Sequence, residues 1–335
     1  CFSGVDYDHR HQEHGIFNLM SEYGNDWEEM ITNEKGNYDF LMFCDIEFRN
    51  PAVKDELLKY ATWLHELTYY DGVRLDAVKH IPPAYFQEFL YLLRERTGKD
   101  IFAVGEYWAP GNLAVLAKYI EATDGTMSIF DSALQESFHL ASNLGSQFDL
   151  REIFTKSLVS HSPNLAVTLV DNHDTQPLQA LEAPVESWFK SLAYALILLR
   201  QDGYPCVFYP DLFGASYWDK VKDGEDHEII MNRVEELENL LYARKDFAFG
   251  RQRDYFESAN AIGWTREGNE NHSGCAVVIS NGDGATISME IGTRYAGRKF
   301  KDMLGKIQEE VWINESGWAD FHCGPGSVSV WIETM

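Results

Sequence analysis

Five short apolar runs in this sequence each close on a carboxylate: Asp76, Glu106, Asp131, Asp174 and Asp211. The first run, "YDGVRLDAVKHI" (70–81), is odd for a buried strand, because Val73, Leu75 and Ala77 alternate with Arg74 and Asp76. A strand has a period of two, so Arg74 and Asp76 share a face. Asp76, Glu106 and Asp174 together have the equipment for glycoside hydrolysis, in which one carboxylate attacks and another protonates the leaving oxygen. A retaining enzyme holds that pair about 5–5.5 Å apart, a spacing that adjacent strands supply. Arg74 favours and orients the ionised form of Asp76. Glu106, near two further carboxylates, is expected to have a raised pKa and to keep a proton near neutrality. Asp174 can then stabilise the cationic, oxocarbenium-like centre.

Such groups need elements that bring strand ends together. Asn50-Pro51 reads as an N-cap and first-turn proline, followed by one helical face of Val53, Leu57, Leu58, Ala61, Leu64 and Leu67. A strand over 72–78 follows, then a helix opened by Pro82-Pro83 and closed by Gly98. "IFAVGEYW" (101–108), "MSIFD" (127–131), "LAVTLVDNHD" (165–174) and "YPCVFYPD" (204–211) continue the strands, with helices at 113–122, to about 159, at 184–201 and near 229–245. Short apolar runs separated by helices mark a parallel sheet with both faces covered. An open sheet would spread five strand ends along a line, whereas a closed barrel gathers them into one bowl. No G-x-G-x-x-G follows any strand, which argues against a dinucleotide fold. Beyond about 248 the pattern becomes short strands between Gly, Asn and Asp turns, as in a small antiparallel β-domain. A full barrel takes about 250 residues. Only five strands fit here, so the sequence reads as the C-terminal part of a longer enzyme.

The formal charge of −25 disfavours nucleic acid and anionic membranes, and favours a neutral or cationic ligand. The 9 Trp, 17 Tyr and 20 Phe would suit stacking on sugar faces as well as core filling. Five scattered cysteines without CxxC spacing suggest neither a zinc site nor a disulfide framework, and fit reduced thiols in the cytoplasm. No apolar run is long enough to span a membrane.

"DGVRLDAVKHI", "FAVGEYW" and "VTLVDNHDTQP" resemble three ordered signature regions of the α-amylase family, glycoside hydrolase family 13. "GNYDFLMFCDIEF" (36–48) resembles a fourth, at the end of the family's inserted B domain. The likeness runs along essentially the whole chain and is strongest to bacterial liquefying-type and cytoplasmic enzymes. It implies the tail of a B domain at 1–49, the later strands of a (β/α)8 TIM barrel at 50–247, and a C-terminal antiparallel β-sandwich at 248–335. By the same resemblance Asp76 is the nucleophile, Glu106 the acid/base and Asp174 the transition-state stabiliser. Arg74 and His173 would contact the sugar at the cleavage point, and Lys79, His80 and Trp108 neighbouring glucoses. A structural Ca²⁺ is implied, with Asp39, Asp45, Glu47 and the main-chain carbonyl of His80 as ligands. Glu47 departs from the family's usual Asp, and Gln135-Glu136 from its usual His-Tyr. The implied function is retaining endo-hydrolysis of α-1,4-glucosidic bonds in starch, glycogen or maltodextrin by a cytoplasmic monomer. Maltooligosaccharide formation, transglycosylation, or non-catalytic α-glucan binding by this fragment are the alternatives.

Overall fold

In a computed structural model, which describes residues 1–19, 44–220 and 224–334, the chain divides into two units, Cys1–Phe130 and Asp131–Met335. The first begins with a small antiparallel sheet of β1 (Phe2–Asp8), β2 (Glu13–Asn18) and β3 (Cys44–Ile46), in the order β2-β1-β3. Helix α1 (Pro51–Thr68) starts where the sequence signals it. The Asn50 side chain accepts the Ala52 N–H at 2.9 Å, and Pro51 occupies a first-turn position that needs no donor. Its buried residues include Val53, Leu58 and Ala61. Strands β4 (Gly72–Leu75), β5 (Phe102–Gly105) and β6 (Ser128–Phe130) alternate with helices α2 (Pro83–Thr97) and α3 (Leu113–Ala122). Both strand pairs are parallel, with Val73 opposite Ala103 and Val104 opposite Ser128. Gly98 ends α2 at φ 65°, a left-handed position that glycine takes without strain. Leu58, Ala61, Leu93 and Ile101 form a core cluster where α1 and α2 meet the sheet.

The second unit opens with α4 (Ser132–Leu144), α5 (Leu158–His161), β7 (Ala166–Leu169), α6 (Ser187–Leu199) and β8 (Tyr204–Cys206). Strands β7 and β8 are again parallel, with Thr168 opposite Pro205. After α7 (Tyr209–Phe213) comes a hairpin, β9 (Ala215–Lys220) with β10 (Asp226–Met231), then α8 (Leu237–Asp246). Here the sequence expectation needs correction: the helix expected near 229–245 begins only at Leu237. Ile229, Ile230 and Met231 instead pair with Tyr217, Ser216 and Ala215. Cross-strand pairing along the whole of β9 overrides the short helical pattern.

The remaining strands are β11 (Gln252–Tyr255), β12 (Ala261–Arg266), β13 (Cys275–Ser280), β14 (Ala285–Glu290), β15 (Lys299–Asp302), β16 (Val311–Trp312), β17 (Trp318–Cys323) and β18 (Ser327–Glu333). They form a six-stranded antiparallel sheet, β11-β12-β13-β18-β15-β16, and a β14-β17 pair. Met289, Phe300, Phe321 and Trp331 pack in the core they share. The antiparallel strands expected beyond about 248 include β11, β15 and β17. Their sequences are rich in polar residues, yet alternate side chains such as Ala319, Phe321 and Cys323 are buried. Among the described residues no helix is long and apolar enough to cross a membrane.

Candidate active site

The last rung between β4 and β5 pairs Leu75 with Gly105, so Asp76 and Glu106 leave neighbouring parallel strands at the same level. Two backbone bonds extend the pairing past the strands, from Glu106 N–H to the Leu75 carbonyl (2.8 Å) and from Val78 N–H to the Glu106 carbonyl (3.1 Å). Adjacent strands lie about 4.8 Å apart, which suits two carboxylates acting on one bond. Arg74 serves both. Its Nη1 donates to Asp76 Oδ1 at 2.7 Å, and its Nη2 lies 4.0 Å from Glu106 Oε2. Asp76 is open to solvent, with 73% of its side chain exposed, whereas Glu106 is buried at 8%.

The backbone turns sharply after Asp76. Ala77 sits at φ 47°, a left-handed conformation that costs a non-glycine residue about 1 kcal/mol or more. In that position its N–H donates to Glu106 Oε2 at 3.1 Å. Strained backbone thus links the residue after one carboxylate to the other carboxylate itself. Gly105 makes the close packing possible. A Cβ there would lie 3.0 Å from Met127 Sδ, 3.1 Å from Ile129 Cδ1 and 3.2 Å from Val78 Cγ2. Gly105→Ala is therefore expected to destabilise the intact protein by about 1–3 kcal/mol, as overpacking does, and to lower kcat by shifting Glu106. Urea unfolding together with kcat at saturating substrate measures both.

Lys79 and His80 are half-buried in the 3-10 turn Val78–His80 that follows. Trp108 is 9% exposed, so little of its indole reaches solvent. In the second unit, His173 and Asp174 lie in the loop after β7. His173 is exposed, and its Nε2 is 3.5 Å from Asp174 Oδ2. The loop is braced by Asn172, whose Oδ1 accepts the N–H groups of Asp174 and Thr175, both at 2.9 Å.

The other two carboxylates that close apolar runs are consumed by structure, and Asp211 lies on α7, because the strand expected over 204–211 ends at Cys206. Asp131 is fully buried and caps α4, accepting the N–H of Leu134 (2.9 Å), Leu158 (2.9 Å) and Val159 (2.8 Å). Asp211 is equally buried, with Lys190 Nζ at 2.5 Å and the Tyr194 hydroxyl at 2.6 Å. Lys190 meets Asp171 as well, at 2.8 Å. Burial pushes the Asp171 carboxyl up to about 6, against the opposing pull of Lys190. A sequence signal for this cluster existed: Lys190 is the single charge in the apolar run "WFKSLAYALILL".

Of the expected calcium ligands, Asp39 lies outside the described residues. Asp45 on β3 accepts a hydrogen bond from the Ser3 hydroxyl, and burial raises its carboxyl above the usual range. Glu47 is fully buried. Arg49 holds both of its oxygens, Nε to Oε1 and Nη2 to Oε2, each at 2.7 Å. That bidentate pair does not fit a metal-ligand role for Glu47. Asp45 and the His80 carbonyl remain as hard oxygen donors of the kind calcium takes. Among the described residues no cluster of three or more His, Cys, Asp or Glu could hold a metal ion.

A family model described as "Alpha-amylase C-terminal" matches residues 276–332. The chain is 47% identical over 333 residues to the cytoplasmic α-amylase of Escherichia coli K12, covering 99% of this chain and 67% of that protein. It is 43% identical to the α-amylase of Geobacillus stearothermophilus, covering 99% of this chain and 58% of that one. It thus spans roughly two thirds or less of these relatives' length. A solved α-amylase of Geobacillus thermoleovorans, complexed with acarbose, shares the fold with a TM-score of 0.66. It is 17% identical, with 92% of this chain and 71% of that one covered. A pair of strand-end carboxylates on one arginine, an antiparallel C-terminal domain and identity at this level lead to one conclusion: the chain belongs to the α-amylase family, glycoside hydrolase family 13.

Proposed function

We propose that the intact protein is a retaining, endo-acting α-amylase with Asp76, Glu106 and Asp174 as its catalytic carboxylates. The observation that carries this reading is the placing of Asp76 and Glu106 at one level of adjacent parallel strands, joined through Arg74. Asp76 attacks the anomeric carbon while Glu106 gives its proton to the departing glycosidic oxygen, forming a covalent glycosyl-enzyme. Glu106, now ionised, takes a proton from water, and the resulting attack frees Asp76. Asp174 balances the positive charge that develops on the sugar in both steps. Arg74 orients Asp76 through its Nη1 hydrogen bond to Oδ1, and the Ala77 N–H orients the Glu106 carboxyl. Arg74 and His173 contact the sugar at the cleavage point; Lys79, His80 and Trp108 line neighbouring glucose positions.

The parallel strands fit a complete (β/α)8 barrel in the intact protein. Calcium is proposed on Asp39, Asp45 and the carbonyl of His80, with Glu47 left to Arg49; bound there, it would stabilise the fold rather than take part in chemistry. Adding EDTA should then lower the melting temperature of the intact enzyme by several degrees, and Asp45→Asn should remove most of that sensitivity. An unchanged melt in EDTA counts against the metal. A cytoplasmic location is supported by the description of the E. coli relative and by five cysteines without disulfides.

The test of function is incubation of the intact enzyme with a maltoheptaoside blocked at its non-reducing end, with products followed by NMR. Internal cleavage giving the α-anomer first is the expected result. Initial β-anomer overturns retention, and glucan binding without cleavage overturns the enzyme reading.

A further inference from the structure

We propose that Lys190 is a positioning residue for Asp174, and that the buried triad Asp171–Lys190–Asp211 locks the strand-end loop carrying that carboxylate. The inference rests on the role given to Asp174 above.

Three charges are buried together. Asp171 is 3% exposed, Lys190 8% and Asp211 fully buried. Lys190 comes from α6, whose residues Phe189–Leu199 are all buried. Ion pairs in such places are seldom retained for stability, because well-packed apolar residues do as well or better. What they provide is direction. Lys190 reaches Asp211 at 2.5 Å on α7 and Asp171 at 2.8 Å in the loop after β7. The Tyr194 hydroxyl, one turn along α6, donates to the second oxygen of Asp211 at 2.6 Å, and accepts the Phe208 N–H at 3.3 Å. One helix therefore fixes the segments following both β7 and β8.

From Asp171 the restraint passes to Asp174 within a few bonds. Asp171 Oδ1 accepts the Val185 N–H at 3.1 Å and lies 3.4 Å from the Thr175 hydroxyl. Thr175 Oγ1 accepts the Asn172 N–H at 3.0 Å, and Asn172 Oδ1 accepts the N–H groups of Asp174 and Thr175. The Asp174 carbonyl in turn accepts the Leu181 N–H at 3.1 Å, and the Thr175 carbonyl that of Ala183 at 3.0 Å. The backbone of Asp174 is held on both sides, while its carboxylate stays partly open to solvent at 32%. Loss of the lysine would free Asp171 to shift, and the loop with it.

The experiment uses the intact enzyme and a charge-balanced variant, Asp171→Asn/Lys190→Met/Asp211→Asn, which leaves no lone buried charge. A misplacement of about 1 Å can cost about 100-fold in rate. The folded variant, checked by circular dichroism and a cooperative melt, should lose about 30- to 100-fold in kcat while KM changes less than about threefold. Asp174→Asn should also cost much less in this background than in the wild type, because a misplaced group has less to lose. A folded variant with wild-type kcat, or with the full Asp174→Asn loss, overturns the proposal. Thr175→Val keeps the triad but cuts its link to the loop, and should by itself lower kcat about 10-fold; wild-type kcat there overturns the proposal even if the triple variant does not fold. A wild-type enzyme indifferent to Asp174→Asn would instead refute the role of Asp174.

Discussion

Asp76→Asn in the intact enzyme is expected to lower kcat by about 10⁴-fold or more while leaving the fold and KM nearly unchanged. The amide has the carboxylate's shape and cannot form the glycosyl-enzyme, so the loss falls on the chemical step. Stability should change little, because Asp76 is the most solvent-exposed member of the site and its pair with Arg74 lies at the surface. Rates on a blocked maltoheptaoside, with melting curves of both proteins, check the two halves of this expectation. A variant within about tenfold of wild type would remove Asp76 from the nucleophile's role.

Arg49→Met should have the largest effect on stability, about 2–4 kcal/mol. Glu47 is fully buried and Arg49 holds both its oxygens, so removing the guanidinium takes two charge-assisted hydrogen bonds from an interior carboxylate and leaves it the Arg49 backbone N–H at 3.0 Å. Arg49 is itself about a third exposed, which keeps the figure below that of a wholly buried pair. The double variant Glu47→Gln/Arg49→Met should recover much of the loss, since the neutral amide needs no counter-charge. Urea unfolding of the four proteins gives the coupling. Equal losses in the single and double variants would mean that Arg49 acts by packing alone.

Most of the framework could be read from the sequence because its signals are local. Asn50-Pro51 and Gly98 mark the ends of helices by the conformations those residues allow, and the structure has Pro51–Thr68 and Pro83–Thr97 there. The five expected apolar runs contain the five strands from Gly72–Leu75 to Tyr204–Cys206. The hairpin at 215–231 was not legible. Its strands are defined by each other, from Ala215 opposite Met231 to Lys220 opposite Asp226, and a pairing partner cannot be seen in one strand alone.

The chemistry divides in the same way. Residue types and period-2 alternation by themselves placed Arg74 and Asp76 on one face, and showed a carboxylate closing each of five apolar runs. Only the tertiary structure decided their fates. Asp131 is committed to three backbone donors and Asp211 to Lys190 and Tyr194, whereas Asp76 stays open beside a buried Glu106. It also gave Glu47 an arginine, gave Lys190 two aspartates, and packed the Met127, Ile129 and Val78 side chains closely against Gly105. Such outcomes depend on which groups distant segments bring within about 3 Å, and on whether water can still reach them. Neither quantity is a property of local sequence.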